Sequence, residues 1–220
     1  EFGTVYESDQ SYYFLLKFSG LRYKYTDKVS PKRDEAFTDK RMKKIRKEIR
    51  PLLGDYEWEV FAADETRLEK QSEIRRAWLK RGERTVVKTE RSKEHRNYLG
   101  FLNQRTNKCD IYEIDRVDTD ETIRVLRKLI QKHPKKKICI VWDNARWHRS
   151  KGLRKLLGKG NEFENIHLIW LPPYSPEHNP IEHVCGWAKD RIANRSGVSM
   201  RKLREEFFRN INFRKFDYFL

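Results

Sequence analysis

Two apolar runs, each closed by an aspartate, constrain this chain more than any other feature: WEVFAA before Asp64 and ICIVW before Asp143. The first, residues 58–63, is short and rich in strand formers, and its composition predicts a buried strand. The second, residues 138–142, is continuously apolar after three lysines, the pattern of a strand covered on both faces. Such strands belong to α/β sheets, where ligands gather beyond the carboxyl ends of strands, and both aspartates fall there.

The rest of the chain supplies neighbours for those strands. Residues 98–102 and 111–114 predict a hairpin turning around Asn107. Thr119 is a candidate cap for a helix with Ile123, Leu126, Leu129 and Ile130 on one face, stopped by His133 and Pro134. A helix over 150–157 precedes a strand over 166–171, which Pro172 and Pro173 end. Asn179 and Pro180 open a helix to about Asn194, and 200–211 form a last one. Ahead of the first strand, residues 36–49 repeat Phe37, Met42, Ile45 and Ile49 at mostly helical spacing and are expected to end against Pro51. The order predicts an α/β fold, a mixed five-stranded sheet flanked by helices. A polar stretch over 27–35, with Ser30 and Pro31, marks a boundary, dividing the chain into 1–35 and a main domain over 36–220.

Charge indicates the partner. There are 49 Lys and Arg against 33 Asp and Glu, a formal net charge of +16, more than solubility requires. The cations are spread along the chain and are not gathered beside an apolar anchor, which favours nucleic acid over a membrane surface. No run approaches the length of a membrane span and no signal-peptide pattern opens the chain, so a soluble, intracellular protein is expected. Cys109, Cys139 and Cys185 are odd in number and widely spaced, which suits neither a disulfide framework nor a zinc ribbon and fits a reducing compartment.

Asp64, Asp143 and Glu182 are candidate metal ligands. Phosphodiester chemistry needs charge stabilisation on the entering and leaving oxygens, which two divalent ions held by a few carboxylates supply. Adjacent strands would set the two aspartates side by side, and Glu182, in the first turn of its helix, could approach from a third direction. Each has another explanation. Either aspartate could be a turn residue. Asn179, Pro180 and Glu182 match the N-cap, N1 and N3 positions of a capping box, in which Glu182 would reach back to the Asn179 amide. His148, His178, His183 and Cys185 raise a zinc site, against which stand the five-residue spacing across Pro180 and the lack of a paired-cysteine motif.

VWDNARWHRS at 141–150 and LPPYSPEHNPIEHVCGWAKDRI at 171–192 resemble the second and third catalytic blocks of mariner-superfamily DDE transposases, specifically their prokaryotic insertion-sequence branch. WEVFAADETRLEKQ at 58–71 and WLKRGER at 78–84 resemble the first block and the segment after it. The resemblance implies a ribonuclease-H-like catalytic domain whose Asp64, Asp143 and Glu182 bind two Mg²⁺ or Mn²⁺ ions. It implies cleavage at transposon ends, then attack of the freed 3′-hydroxyl on target DNA at TA. The implied partners are terminal inverted repeats and target DNA, bound by a homodimer in a synaptic complex, in a prokaryotic cytoplasm at the nucleoid. Glu182 follows Asp143 by 39 positions, longer than the family's usual interval, and Glu177, at 34, competes for its role. The Asn-Pro-Ile-Glu string assigns Glu182, and a loop over 158–165 houses the surplus.

Arg75, Arg76, Lys80, Arg81 and Arg84, interleaved with Trp78, are candidate DNA-backbone contacts, with a solvated basic face as the plain alternative. His148, five positions after Asp143, is a candidate for phosphate or metal-shell contact, or a surface histidine at a helix start. Residues 11–35 resemble the end of the family's winged helix-turn-helix arm, and Glu1 to Thr4 an expression remnant. Two rival functions stand beside transposition: a ribonuclease-H-like nuclease without strand transfer, and a non-catalytic DNA-binding descendant of a transposase.

Overall fold

A computed structural model describes residues 7–22, 30–71, 73–76, 82, 84–88 and 92–220. By its contacts the chain divides into two compact units, Glu1–Pro31 and Lys32–Leu220. The first contains α1 (Asp9–Phe18), started by Ser8, whose hydroxyl accepts from the Gln10 amide. Its apolar side chains, Phe14 and Phe18 among them, are exposed.

The second unit is a five-stranded mixed sheet with helices on both faces. Its elements run α2 (Glu35–Gly54), β1 (Trp58–Glu69), β2 (His95–Asn103), β3 (Cys109–Ile114), α3 (Thr119–Lys132), β4 (Lys137–Trp142), α4 (Lys151–Leu156), β5 (Ile166–Trp170), α5 (Pro180–Asp190) and α6 (Met200–Asn212). Strand order is β3-β2-β1-β4-β5. β1, β2 and β3 form an antiparallel meander, and β4 and β5 add in parallel beside β1. Asn107, at φ 60°, takes the left-handed conformation in the β2–β3 turn. No helix among the described residues is long and apolar enough to cross a membrane.

Three apolar clusters hold the layers together. On one face Phe61, Ala63, Leu99, Phe101 and Trp142 pack against Val125, Leu126 and Leu129 of α3 and Leu153 of α4. On the other face, α2 lays Met42, Ile45 and Ile49 on Val60, Cys139, Val141 and Ile169. Beside it, α5 and α6 cover Leu68, Tyr98 and Leu102 with Ile181, Val184, Leu203 and Phe207. Alternation along β1 explains the division: Phe61 and Ala63 face α3, whereas Val60 and Ala62 face α2 and α5.

At α2 and α3 the helix boundaries depart from the sequence-based expectation. Helix α2 does not stop at Pro51 but carries it inside and ends at Gly54. So close to the end, proline removes one amide bond, while Leu52 and Leu53 of that last turn pack on the core. The α3 cap is Asp118, not Thr119: its carboxylate accepts from the Glu121 amide at 3.0 Å.

Candidate active site

β1 and β4 pair in parallel from Trp58 opposite Lys137 to Ala62 opposite Val141. Asp64 and Asp143 each lie two residues beyond that last pair, and both open into a cleft of about 440 Å³ on the α2/α5 face. Asp143 follows the end of β4, but Asp64 does not close a strand. β1 runs on to Glu69 because β2 continues to offer a partner, with Asp64 opposite Gly100 and Glu69 opposite His95. Asp64 thus stands where β1 loses β4 and keeps β2.

Glu182 enters the same cleft from the first turn of α5. The capping box does not form. The Asn179 amide donates to Pro176 O at 2.8 Å, and the Asn179 side chain makes no cap hydrogen bond. Instead Asn179, 2% exposed, donates through Nδ2 to Ala63 O at 3.0 Å, pinning the start of α5 to β1 beside Asp64. Glu182 is therefore not consumed by the helix start. Glu177 is engaged elsewhere: it pairs with Arg33 at 2.5 Å and with His178, and it does not line the cleft.

The loop joining β5 to α5 closes the cleft with Pro172, Pro173 and Tyr174, the last at φ 55°. Asn144 Nδ2 donates to Leu171 O at 2.6 Å, tying the exit of β4 to that loop. Arg41 of α2 donates through Nε and Nη2 to Trp170 O at 3.0 and 2.8 Å.

The three carboxylates carry different electrostatics. Burial, reinforced by Glu65, Glu182 and Asp143, pushes Asp64 up to about 8. Glu182 is also raised, by its partial burial first and then by Glu177 and Asp143, against an opposing His183. Burial would raise Asp143 too, but hydrogen bonds from His148 and the Ala145 amide outweigh it and hold it below the ordinary carboxylate value. Asp143 is thus ionised in advance, whereas Asp64 keeps its proton until positive charge arrives.

His148 does not lie on a surface that phosphate could reach. It is 1% exposed, its Nδ1 is 2.8 Å from Asp143 Oδ1 and its Nε2 is 2.8 Å from Glu65 Oε1. Its ring lies 3.7 Å from that of Trp142, and Trp147 Nε1 donates to the same Glu65 oxygen at 3.0 Å. Burial disfavours the imidazolium, yet the two carboxylates raise the His148 pKa above its ordinary value. The expected DNA contact at His148 is corrected to a buried bridge behind Asp143.

The other expected contacts fall only partly within the described residues. Arg75 is engaged with Glu73 and Asp190, and its amide donates to Asn194 Oδ1 at 2.8 Å. Arg76 and Arg84 are exposed, and Lys80, Arg81 and Trp78 lie outside the described residues. The remaining zinc candidates go to separate places: His178 pairs with Glu177, the His183 ring lies 5.2 Å from Tyr218, and Cys185 is buried in the α5/α6 core.

Glu65, Trp147 and a basic segment also stand around the site, beyond the residues expected from the motifs. Between 144 and 161 stand Arg146, Arg149, Lys151, Arg154, Lys155 and Lys159, with no Asp or Glu. That signal was available in the charge pattern. Nothing local marks Glu65, whose partner is 83 residues away.

Among the described residues, no three His, Cys, Asp or Glu side chains stand close enough to hold a metal ion as positioned. The donor set nevertheless fits a hydrated divalent cation, which is bound through one or two carboxylates and keeps several waters. Three acidic groups share an open cleft, and burial first, then repulsion from neighbouring carboxylates, raises one of them, Asp64. Asn179 Oδ1, buried at the wall, has no partner and offers an acceptor to a cation's water.

A meander extended by two parallel strands, with carboxylates at the β1/β4 junction, defines the ribonuclease-H-like class, and solved structures share the fold. The Mos1 pre-cleavage transpososome superposes with a TM-score of 0.65 at 14% identity, over 94% of this chain and 64% of that one. The Mos1 strand transfer complex gives 0.63 at 14% identity, over 94% of this chain and 63% of that one. The Mos1 paired-end complex with left transposon end gives 0.62 at 15% identity, over 93% and 66%. This chain therefore spans about two thirds of the Mos1 chains or slightly less. No curated protein matches it significantly in sequence. Residues 59–204 match the DDE superfamily endonuclease family, and the chain belongs to that family.

Proposed function

We propose that this chain is the catalytic domain of a mariner-type DNA transposase of the prokaryotic insertion-sequence branch. It would cut DNA at transposon ends and join the freed 3′-hydroxyl to target DNA at TA. The observation that carries the reading is the meeting of Asp64, Asp143 and Glu182 in one cleft, from three separate elements of a DDE-family ribonuclease-H-like domain. The Mos1 mariner paired-end complex has been solved with Mn and with Mg.

Asp64, Asp143 and Glu182 would hold two Mg²⁺ or Mn²⁺ ions, whose chemistry is to activate the attacking oxygen and neutralise charge on the leaving one. Asp143 is ready to bind as a carboxylate, and Asp64 gives up its proton on binding. Asn179 orients α5 through Ala63 and offers Oδ1 to ordered water. The cations of 144–161, which follow Asp143 directly, supply a track for the phosphate backbone, joined by Arg76, Lys80, Arg81 and Arg84. The partners in this reading are terminal inverted repeats and target DNA, held by a homodimer in a synaptic complex in a prokaryotic cytoplasm.

The test is product analysis with labelled transposon-end DNA and a TA-containing target. Wild-type protein in Mg²⁺ or Mn²⁺ gives joined products, and Asp64→Ala, Asp143→Ala and Glu182→Ala each lose cleavage while folding normally. Nicks without joining would favour the nuclease, and cleavage retained in any single variant would remove that residue from the set.

A further inference from the structure

We infer that Glu65, His148 and Asp143 form a side-chain brace that fixes the separation of the two aspartates, with Glu65 and His148 as positioning residues. The inference rests on Asp143 holding a divalent cation.

Backbone pairing between β1 and β4 ends at Ala62 and Val141, two residues short of Asp64 and Asp143. Past that point no ladder bond ties one strand to the other, yet the distance between the aspartates decides whether they can share ions. The brace supplies the tie. Asp64 and Glu65 are consecutive on a strand, so one points into the cleft and the other toward the opposite face. On that face Glu65 Oε1 meets His148 Nε2 at 2.8 Å, and His148 Nδ1 meets Asp143 Oδ1 at 2.8 Å. β1 thus presents one aspartate and, through the next residue, holds the other.

The bridge is built to be rigid. A carboxylate oxygen stands at hydrogen-bond distance from each ring nitrogen, so the imidazole is held at both ends. Trp142 packs against the ring at a tilt of 34°, Trp147 Nε1 donates to the Glu65 oxygen, and the ring is buried. Asp143 Oδ1 also accepts from the Ala145 amide at 3.1 Å, so one oxygen is occupied and Oδ2 is left for the cleft. Partners that orient a ligand in this way cost about 10- to 100-fold in metal affinity when removed.

Mn²⁺ binding to the whole chain, followed by electron paramagnetic resonance with melting temperature recorded in parallel, tests the brace. His148→Ala should weaken Mn²⁺ binding about 10- to 100-fold and Glu65→Ala about tenfold. Glu65→Gln, which keeps an oxygen for His148, should stay within about threefold of wild type, whereas His148→Asn, whose amide can stand in for Nδ1 but not for the Nε2 that reaches Glu65, should lose affinity about tenfold, as Glu65→Ala does. A merely structural role would lower the melting temperature of the alanine variants without changing Mn²⁺ affinity of the folded protein, and that result overturns the brace. Asp143→Ala separates the two levels. If it binds Mn²⁺ as wild type does, the metal reading fails and takes the brace with it; if it loses binding while His148→Ala and Glu65→Ala keep it, only the brace fails. Where an alanine variant does not fold, wild-type Mn²⁺ affinity in His148→Asn equally overturns it.

Discussion

Gly100→Ala asks the structure for a magnitude. Gly100 lies opposite Asp64 across β1 and β2, and a Cβ built on it would stand 2.8 Å from Ile181 Cδ1 and 3.7 Å from Cγ1. Unstrained carbon atoms sit roughly 3.5–4.0 Å apart, so the methyl overlaps by about an ångström. Ile181 has no free side to turn toward: it is 0% exposed, packed in the α5/α6 core, and precedes Glu182. Overpacking of this kind costs about 1–3 kcal/mol, offset by about 0.4–1 kcal/mol from the reduced freedom of the unfolded chain. The net expectation is a loss of about 1–2 kcal/mol in urea melts. Because the clash is relieved by lifting α5, Glu182 shifts as well, and metal-dependent cleavage should fall about 10- to 100-fold, the usual scale for misplacing a reacting group by an ångström. Ile181→Val removes the clashing Cδ1 and costs about 0.5–1.5 kcal/mol alone, but less in the Gly100→Ala background. The double-mutant cycle should show about 1 kcal/mol or more of favourable coupling and recover cleavage. Wild-type stability and cleavage in Gly100→Ala, or strict additivity in the cycle, would refute the close approach as the device that seats Glu182.

Asp64 makes the metal-free protein sensitive to pH. Its folded value, about 8 against an ordinary 3.8, means the folded state keeps a proton that the unfolded chain has lost, so stability is full below about pH 4 and declines toward pH 8. His148 and Glu182, both raised, act in the same direction, while the lowered Asp143 has made its contribution by about pH 5. Melting temperature in EDTA should therefore fall from pH 5 to pH 8, with a shallower slope in Asp64→Asn; a flat wild-type profile would contradict this. Asn179→Ala should cost about 1–3 kcal/mol, because Ala63 O loses its buried donor, and thermal unfolding measures it. Arg154→Glu with Lys155→Glu should weaken DNA binding at every sequence and flatten its salt dependence, read by fluorescence anisotropy across a salt series.

The sheet was legible because its signals are local. Continuous apolar runs mark β1 and β4, Asn107 marks the hairpin turn, and the repeat of Leu126 and Leu129 marks α3. Features set by distant partners were not. Only β2, contributed by residues 95–103, explains why β1 passes beyond Asp64, and only core contacts of Leu52 and Leu53 explain why α2 passes Pro51. The pair Asn179 and Glu182 shows the limit most clearly. Their spacing fits a capping box, but Ala63 O on β1 competes for the Asn179 side chain and wins, which leaves Glu182 free. His148 at five residues from Asp143 was recognisable as a neighbour of the site, whereas its burial depends on Glu65 and Trp142. The basic segment 144–161 is legible in a simple charge count, whereas in 75–84 Arg75 is paired with Glu73 and Asp190.

Crystals of the chain soaked in Mn²⁺, with anomalous scattering recorded at the manganese edge, decide whether Asp64, Asp143 and Glu182 form a metal site. Manganese is expected in the cleft, bound by Asp64 and Asp143 and approached by Glu182. Manganese absent from the cleft, with Glu182 turned back to the Asn179 amide, would contradict it.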